Sequence, residues 1–206
     1  MKTIVLASNN IHKIKEFKEI YKEDKILSLN DIGYTEEIEE NGKTFLENAL
    51  TKAKAIYEYL KEKNIEAYVI ADDSGLCVPS LNGEPGVYSA RYAGIHNDSA
   101  RNRKKLLENL KDKLNRDAYF TCFLVEYFPN GSYIYSQGKT AGYILKEEKG
   151  DTSFGYDCIF YSDELLKSFG EATSDEKNSV SHRGRAIAEL KRLEEQLDIN
   201  HNRGIK

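Results

Sequence analysis

The apolar run AYVIA at 67–71 ends on two adjacent carboxylates, Asp72 and Asp73, with Ser74 and Gly75 behind them. Such a pair can hold Mg²⁺, a hard cation that takes oxygen ligands and keeps waters and substrate phosphates around it. It can equally cap an Asx-type turn. Successive side chains of an extended strand point to opposite faces, so the two acids serve one ligand only if the strand ends between them. One is expected to face a cleft and the other to support it. A partner carboxylate is available upstream in the acidic run EEIEENG at 36–42, from Glu39 or Glu40.

Other segments supply cations and hydrogen-bonding groups. SNNIHK at 8–13 places Ser8, Asn9, Asn10, Ile11, His12 and Lys13 where an apolar run gives way to a helical pattern. Free N–H groups at a helix start favour a phosphate, and Lys13 would add a point charge; a capped surface helix is the plain alternative. Asn48 and Lys52 are spaced i, i+4 beside an apolar helical stripe, either lining a cleft or, for Lys52, snorkelling from the core edge. EKNSVSHRGRA at 176–186 gathers Lys177, His182, Arg183 and Arg185 near a helix start, against the helix dipole, which suits a nearby anion as well as solvent. SFGYD supplies Phe154, Gly155, Tyr156 and Asp157: rings to stack a base, a glycine that exposes backbone and a carboxylate to read a polar edge. The rings can also be core. Neither the G-x-G-x-x-G nor the Walker pattern occurs, and four histidines without ligand spacing argue against zinc. No Ser-His-Asp order suggests covalent catalysis.

These residues need elements to hold them. A strand is expected over 3–7, then a helix carrying Ile14, Phe17, Ile20 and Tyr21 with Asn9 or Asn10 as N-cap. Residues around ILSLNDI are weakly patterned. Thr44 and Glu47 form a capping box for a helix to about Lys63, through Phe45, Ala49, Ala53, Ile56 and Leu60. A strand at 67–71 leads into a long ordered loop rich in Gly and Pro, and a helix is expected over 98–114. Aromatic and β-branched runs at 118–128 and 132–145 flank Pro129-Asn130-Gly131 and predict a hairpin. SFGYDCIFY at 153–161 reads as a short strand. A second capping box, Thr173 and Glu176, opens one closing helix through Val180, Ile187, Leu190, Leu193 and Leu197.

The 206 residues, 40% of them hydrophobic, suffice for one substantial domain. A bilobed domain over 1–198 is expected, with a frayed tail at 199–206. Net charge is -4 with both signs well mixed, so no basic field favours a nucleic-acid polymer. Three scattered cysteines offer no disulfide framework, and no run approaches a membrane span, so a soluble, reduced, cytoplasmic protein is expected.

Taken in order, SNNIHK, the acidic run with TFLENALTKA, ADDSGLCVPSLNGEPGVYSARYAG, SFGYD and EKNSVSHRGRA resemble the inosine triphosphate pyrophosphatase family from end to end. The resemblance implies an elongated α/β fold, a two-lobed mixed sheet flanked by helices with a nucleotide cleft between the lobes, usually as a homodimer. It implies Mg²⁺-dependent hydrolysis of aberrant purine nucleoside triphosphates, ITP, dITP and XTP, to the monophosphate and pyrophosphate, cleansing the nucleotide pool. Asp73 matches the proton acceptor and a metal carboxylate, with Asp72 in support. Glu39, three residues before Gly42, matches the other metal carboxylate, and Glu40 competes for that role. Ser8 to Lys13 match the triphosphate turn, Ser74 a substrate contact and Phe154 to Asp157 the base-stacking segment. Lys177, His182 and Arg183 match residues around the phosphates and the 6-keto edge. A donor at that edge favours hypoxanthine and xanthine over adenine; guanine must be excluded at its 2-position.

The family often carries T-G-N where this chain has Ser8-Asn9-Asn10; Asn9 in place of glycine can still adopt a left-handed conformation, so the departure touches only the detail of the turn. Two rivals stand beside this reading. A Maf-type dTTP or UTP pyrophosphatase would begin S-x-S-P-R-R, which SNNIHK does not match. A nucleotide sensor without turnover could lose the metal carboxylates, yet Glu39, Asp72 and Asp73 are all present. The roles of Tyr88, Arg91 and Tyr92 in the long loop stay open between ligand, partner and core.

Overall fold

The first apolar run and the run that ends in the paired acids become neighbouring parallel strands. The computed structural model describes residues 1–203, with side chains described through 197. Its elements are β1 (Thr3–Leu6), α1 (Ile11–Ile20), β2 (Lys25–Leu27), α2 (Phe45–Glu62), β3 (Tyr68–Cys77), α3 (Ser99–Asn109), β4 (Asp117–Tyr127), β5 (Tyr133–Ile144), β6 (Phe160–Ser162), β7 (Lys167–Ser168), α4 (Ser174–Val180) and α5 (His182–Arg203). The seven strands form one mixed sheet in the order β2-β1-β3-β4-β5-β6-β7, flanked by helices. The chain divides into two compact units, one of residues 1–73, 123–137 and the chain from Arg185, the other of Ser74–Cys122 and Gly138–Gly184.

In the first unit, β1 pairs in parallel with β2 on one side and β3 on the other. The strand order therefore reverses at β1, and the carboxyl ends of β1 and β3 lie side by side. Open α/β sheets bind ligands at such a reversal. Strand parity then sorts the side chains. Ala67, Val69 and Ala71 join Ala49, Ala53, Ile56 and Leu60 of α2 in one core cluster, so odd positions of β3 face α2. Thr44 caps α2 and Glu47 returns the bond, as expected of the capping box.

The second unit packs Leu76, Val78, Leu106, Leu110, Phe120, Phe160 and Phe169 into its own core. Pairing of β6 with β5 and β7 is antiparallel. The expected hairpin forms as β4 and β5, closed by Phe128 N–H to Ser132 C=O at 2.9 Å with Gly131 at φ +87°. No helix among the described residues is long and apolar enough to cross a membrane.

Several expected boundaries change. β3 does not stop at Ala71 but runs through Asp72, Asp73, Ser74 and Gly75 to Cys77. The weakly patterned segment contains β2, three residues recruited as a parallel partner of β1. α3 ends at Asn109, leaving Leu110 buried as its cap and Leu114 fully exposed. SFGYD is not strand: a short 3₁₀ turn covers Asp157–Ile159 and only Phe160–Ser162 pair. The closing helix is two helices, broken at Ser181, whose extended backbone (ψ 156°) ends α4. The expected tail from 199 lies outside the residues whose side chains are described, and 204–206 lie outside the described residues altogether.

One buried acid outside the candidate site has a testable consequence. Glu126 of β4 is wholly buried in the first unit. Burial first, then the negative charge of Glu194 on α5, pushes its carboxyl up to about 9; Lys2 opposes the shift, and Asp24 adds to it. Lys2 itself is tied to Glu194 and, through its backbone N–H, to Asp24. The folded state therefore keeps a proton that the unfolded chain releases near pH 4.5, and stability falls as pH rises from there toward 9. Glu126→Gln removes this loss. Thermal melts should show the variant's Tm gaining on the parent's by several degrees between pH 5 and pH 8; a constant difference across that range contradicts the assignment.

Candidate active site

In the first unit, parity separates the two acids as the sequence suggested, although the strand continues past them. Asp73 follows Ala67, Val69 and Ala71 on the face covered by α2, and there it meets Asn48 and Lys52. Asn48, completely buried, donates from Nδ2 to Asp73 Oδ2 at 2.9 Å and accepts the Gly42 N–H on Oδ1 at 2.8 Å. Both ends of its amide are thus fixed. Lys52 Nζ lies 3.9 Å from Asp73 Oδ1 and 3.2 Å from Glu40. Asp72 takes the opposite face, where Lys13 Nζ of α1 pairs with it at 2.8 Å.

Burial raises the Asp73 carboxyl above the ordinary aspartate range; Lys52, the Asn48 bond and Lys13 pull it down, and Glu40 adds to the rise. A carboxylate destabilised by burial yet aimed by a fixed amide is a competent proton acceptor.

The oxygen donors here also fit Mg²⁺. Glu40 and Asp73 already flank one positive charge, the Lys52 ammonium, and Mg²⁺ needs only one or two carboxylates beside waters and phosphates. No three His, Cys, Asp or Glu residues among those described gather into a metal-holding group. Glu39 is exposed and accepts from Asn41 Nδ2 at 2.7 Å, whereas Glu40 is the acid brought beside Lys52.

The turn after β1 is organised by its own side chains. Ser8 Oγ accepts from Asn10 N–H, and Asn10 caps α1 by accepting from His12 and Lys13 N–H. Asn9 accepts from Asn30 N–H and is not among the residues with positive φ, so the left-handed conformation open to asparagine is not used here. Ile11 is exposed.

In the second unit, Arg183 donates to Ser74 Oγ at 3.1 Å. Lys177 pairs with Asp157 at 2.6 Å and sits 5.1 Å from the centre of the Phe154 ring. The break at Ser181 changes the electrostatic picture of this segment. Lys177 belongs to the last turn of α4, where a cation suits the dipole, while His182 and Arg183 open α5 and face it. The bend is tight: a Cβ on Gly184 would lie 1.9 Å from the Asn178 carbonyl oxygen. His182 is buried and stacks on Phe120, with centroids 4.7 Å apart. Tyr156 belongs to the core cluster, its hydroxyl donating to Ser89 C=O at 2.8 Å, while Phe154 lies outside that cluster. Of the loop residues left open, Tyr92 is buried with its hydroxyl donating to Glu84, and Tyr88 is exposed.

Two supports were missed from sequence. Gly42 matters through its contact with Asn48, and its place two residues after Glu40 and two before the Thr44 cap was the available signal. Phe120, the platform for His182, carried no local signal, because the stacking partners lie 62 positions apart in sequence.

Comparison with known proteins gives a consistent answer. The Ham1 family profile matches residues 4–193. A dITP/XTP pyrophosphatase of Clostridium perfringens is 50% identical over 93% of this chain and 96% of its own length. One of Bacillus subtilis is 46% identical over 94% and 97%. The solved structure of the Staphylococcus aureus Ham1 protein superposes with a TM-score of 0.83 at 39% identity, covering 95% of this chain and 99% of that one.

Proposed function

The chain belongs to the Ham1 family, and from that premise we propose how it acts: as a nucleoside triphosphate pyrophosphatase that hydrolyses non-canonical purine nucleoside triphosphates such as dITP, ITP and XTP. The products are the monophosphate and pyrophosphate. Relatives named dITP/XTP pyrophosphatase, matched along nearly their whole length, support the reaction class.

Asp73 accepts a proton from a water that attacks the α-phosphorus, and the bond from that phosphorus to the bridging oxygen breaks to release pyrophosphate. The single observation that carries this assignment is the buried Asp73 carboxylate held by Asn48 at 2.9 Å. Lys52 holds Glu40 and Asp73 together, and Asp72 anchors Lys13 next to the turn from Ser8 to Lys13, which is assigned to the triphosphate. Asp73 with Glu39 or Glu40 would hold Mg²⁺; the ion pair with Lys52 favours Glu40. Bound there, Mg²⁺ would neutralise charge on the phosphates.

In the second unit, Ser74 and Arg183 are assigned to substrate contacts, Phe154 to stacking on the base, and Gly155, Tyr156 and Asp157 to its polar edge. Lys177 and His182 complete this set. The homodimer and cytoplasmic residence belong to the same proposal and rest on the family resemblance.

Pyrophosphate release measured across ITP, XTP, dITP, GTP, ATP and dTTP with and without Mg²⁺ tests the reading. Release should be fastest from the first three and lost with chelator. No release from ITP, or faster release from dTTP, overturns it.

A further inference from the structure

Three consecutive polar residues at the joint between α4 and α5 are almost wholly buried: Ser181 is 2% exposed, His182 5% and Arg183 2%. Burying such groups is costly unless their donors and acceptors are used. His182 stacks on Phe120 and Arg183 donates to Ser74 Oγ, so these two reach outward from the joint within the second unit. Ser181 spends its polar groups on the joint itself. Its backbone N–H donates to the Lys177 carbonyl oxygen at 2.8 Å, closing α4. Its Oγ accepts the Gly184 N–H at 3.0 Å, three residues on, which is the bond an N-cap serine makes at a helix start. One residue is thus the C-cap of α4 and the N-cap of α5.

The joint decides how three cations are placed relative to one another. In an unbroken helix, Lys177 and Arg183 would be locked about 120° apart around one axis by the helical period. The extended backbone of Ser181, φ -69° and ψ 156°, releases them from that relation. What replaces it is the pair of bonds made by Ser181, backed by close packing. A Cβ on Gly184 would overlap the Asn178 carbonyl oxygen, so the first turn of α5 lies directly against the last turn of α4. Lys177 meanwhile is held at Asp157.

We infer that Ser181 is a positioning residue for the nucleotide: its hydroxyl fixes the first turn of α5 and so sets where His182 and Arg183 stand relative to Lys177. The inference rests on the assignment of Lys177, His182 and Arg183 to the substrate. Ser181 acts through these neighbours.

The test is steady-state hydrolysis of ITP by a set of variants at this joint. Ser181→Ala removes only the accepting oxygen. It should raise KM about fivefold, the size of effect expected of one lost N-cap, with kcat changed less than about twofold because Asp73, Asn48 and Lys52 are untouched. Ser181→Thr and Ser181→Asp each return an accepting oxygen, and at least one should bring KM back to within about twofold of the parent. Gly184→Ala, which forces the two helix ends apart, should raise KM by more than Ser181→Ala. Arg183→Lys keeps the charge but loses the planar fork and should raise KM about tenfold. Combined with Ser181→Ala it should fall short of the product of the two single effects, because Ser181 acts through Arg183. If Arg183→Lys leaves KM unchanged, the assignment of Arg183 to the substrate fails. If Arg183→Lys raises KM while Ser181→Ala does not, or the two effects multiply in full, the positioning role fails and the substrate assignment stands. Failure of both capping replacements to restore KM also overturns the role. So does a fall in kcat at constant KM, which marks a smaller folded fraction rather than a displaced contact.

Discussion

Replacing Asp73 by Asn should lower kcat for ITP by about 10³-fold, some 4 kcal/mol of transition-state stabilisation, while leaving nucleotide affinity within a few-fold of the parent. The asymmetry follows from the geometry. Asn48 Nδ2 lies 2.9 Å from Asp73 Oδ2, and an asparagine at 73 can keep that bond through its own carbonyl oxygen, so the local packing survives. What disappears is the proton acceptor and the negative charge beside Lys52. Loss of a negative charge does not weaken direct attraction for a polyanionic substrate, and Glu39 or Glu40 and the asparagine carbonyl oxygen remain to hold a divalent cation, so binding is expected to persist. Single-turnover pyrophosphate release, with calorimetric titration of ITP in Ca²⁺ to measure affinity, separates the two effects. Turnover at the parent rate would show that another group activates the water. A matching loss of affinity would show that Asp73 grips the substrate instead.

The second large effect is expected at a residue with no functional group. A Cβ on Gly42 would lie 2.6 Å from Asn48 Oδ1, 2.8 Å from Glu47 Cβ and 3.0 Å from Asn48 N. Gly42 is not among the residues with positive φ, so the objection to a side chain is steric rather than conformational. Neither Asn48 nor Glu47 can move away cheaply. Asn48 is buried and bound at both ends, and Glu47 is locked in the capping box by bonds to Lys43 and Thr44 N–H. Gly42→Ala should therefore push the acidic segment off the start of α2 and break the Gly42 bond to Asn48. Asn48 then no longer aims Asp73, and Glu40 loses its register with Lys52.

We expect kcat to fall about 10²-fold, as for loss of one preorganised polar contact at an active site, with the Mg²⁺ concentration for half-maximal rate rising. Asn48→Ala should give a similar defect, and the combined variant should be little worse than either, because both cut one chain of contacts. Circular dichroism melts guard against trivial unfolding: overpacking of this kind costs about 1–3 kcal/mol, which a domain of this size tolerates. A Gly42→Ala enzyme with parental kcat and Mg²⁺ dependence would show that the acidic segment is not held to Asp73 in the way described.

Much of this site was readable from residue types and period. An asparagine cap for α1 at 9 or 10, the two capping boxes, the hairpin and the division of labour between Asp72 and Asp73 all follow from local rules, and the fold observes them, with Asn10 as the cap. The errors share a cause. DDSG is polar and glycine-containing, so local propensity ends β3 at Ala71, but ladder pairing carries it on to Cys77. Leu106, Leu110 and Leu114 keep helical spacing, yet only the first two are buried and α3 stops at Asn109. The break at Ser181 was masked by apolar positions on either side of it.

Partners remote in sequence left no trace at all. Lys52 selects Glu40 over the adjacent Glu39, and Arg103 finds Gly155 across 52 positions. Family resemblance implies the chemistry proposed for the segments, and tertiary contacts show how their side chains are held.

The most direct measurement of the central claim is hydrolysis of ITP in ¹⁸O-labelled water, followed by mass spectrometry of both products with the parent and the Asp73→Asn variant. Attack at the α-phosphorus with Asp73 as proton acceptor predicts one ¹⁸O in IMP, none in pyrophosphate, and formation of labelled IMP slowed about 10³-fold in the variant. Label in pyrophosphate, release of inosine diphosphate and orthophosphate, or an unslowed variant would contradict it.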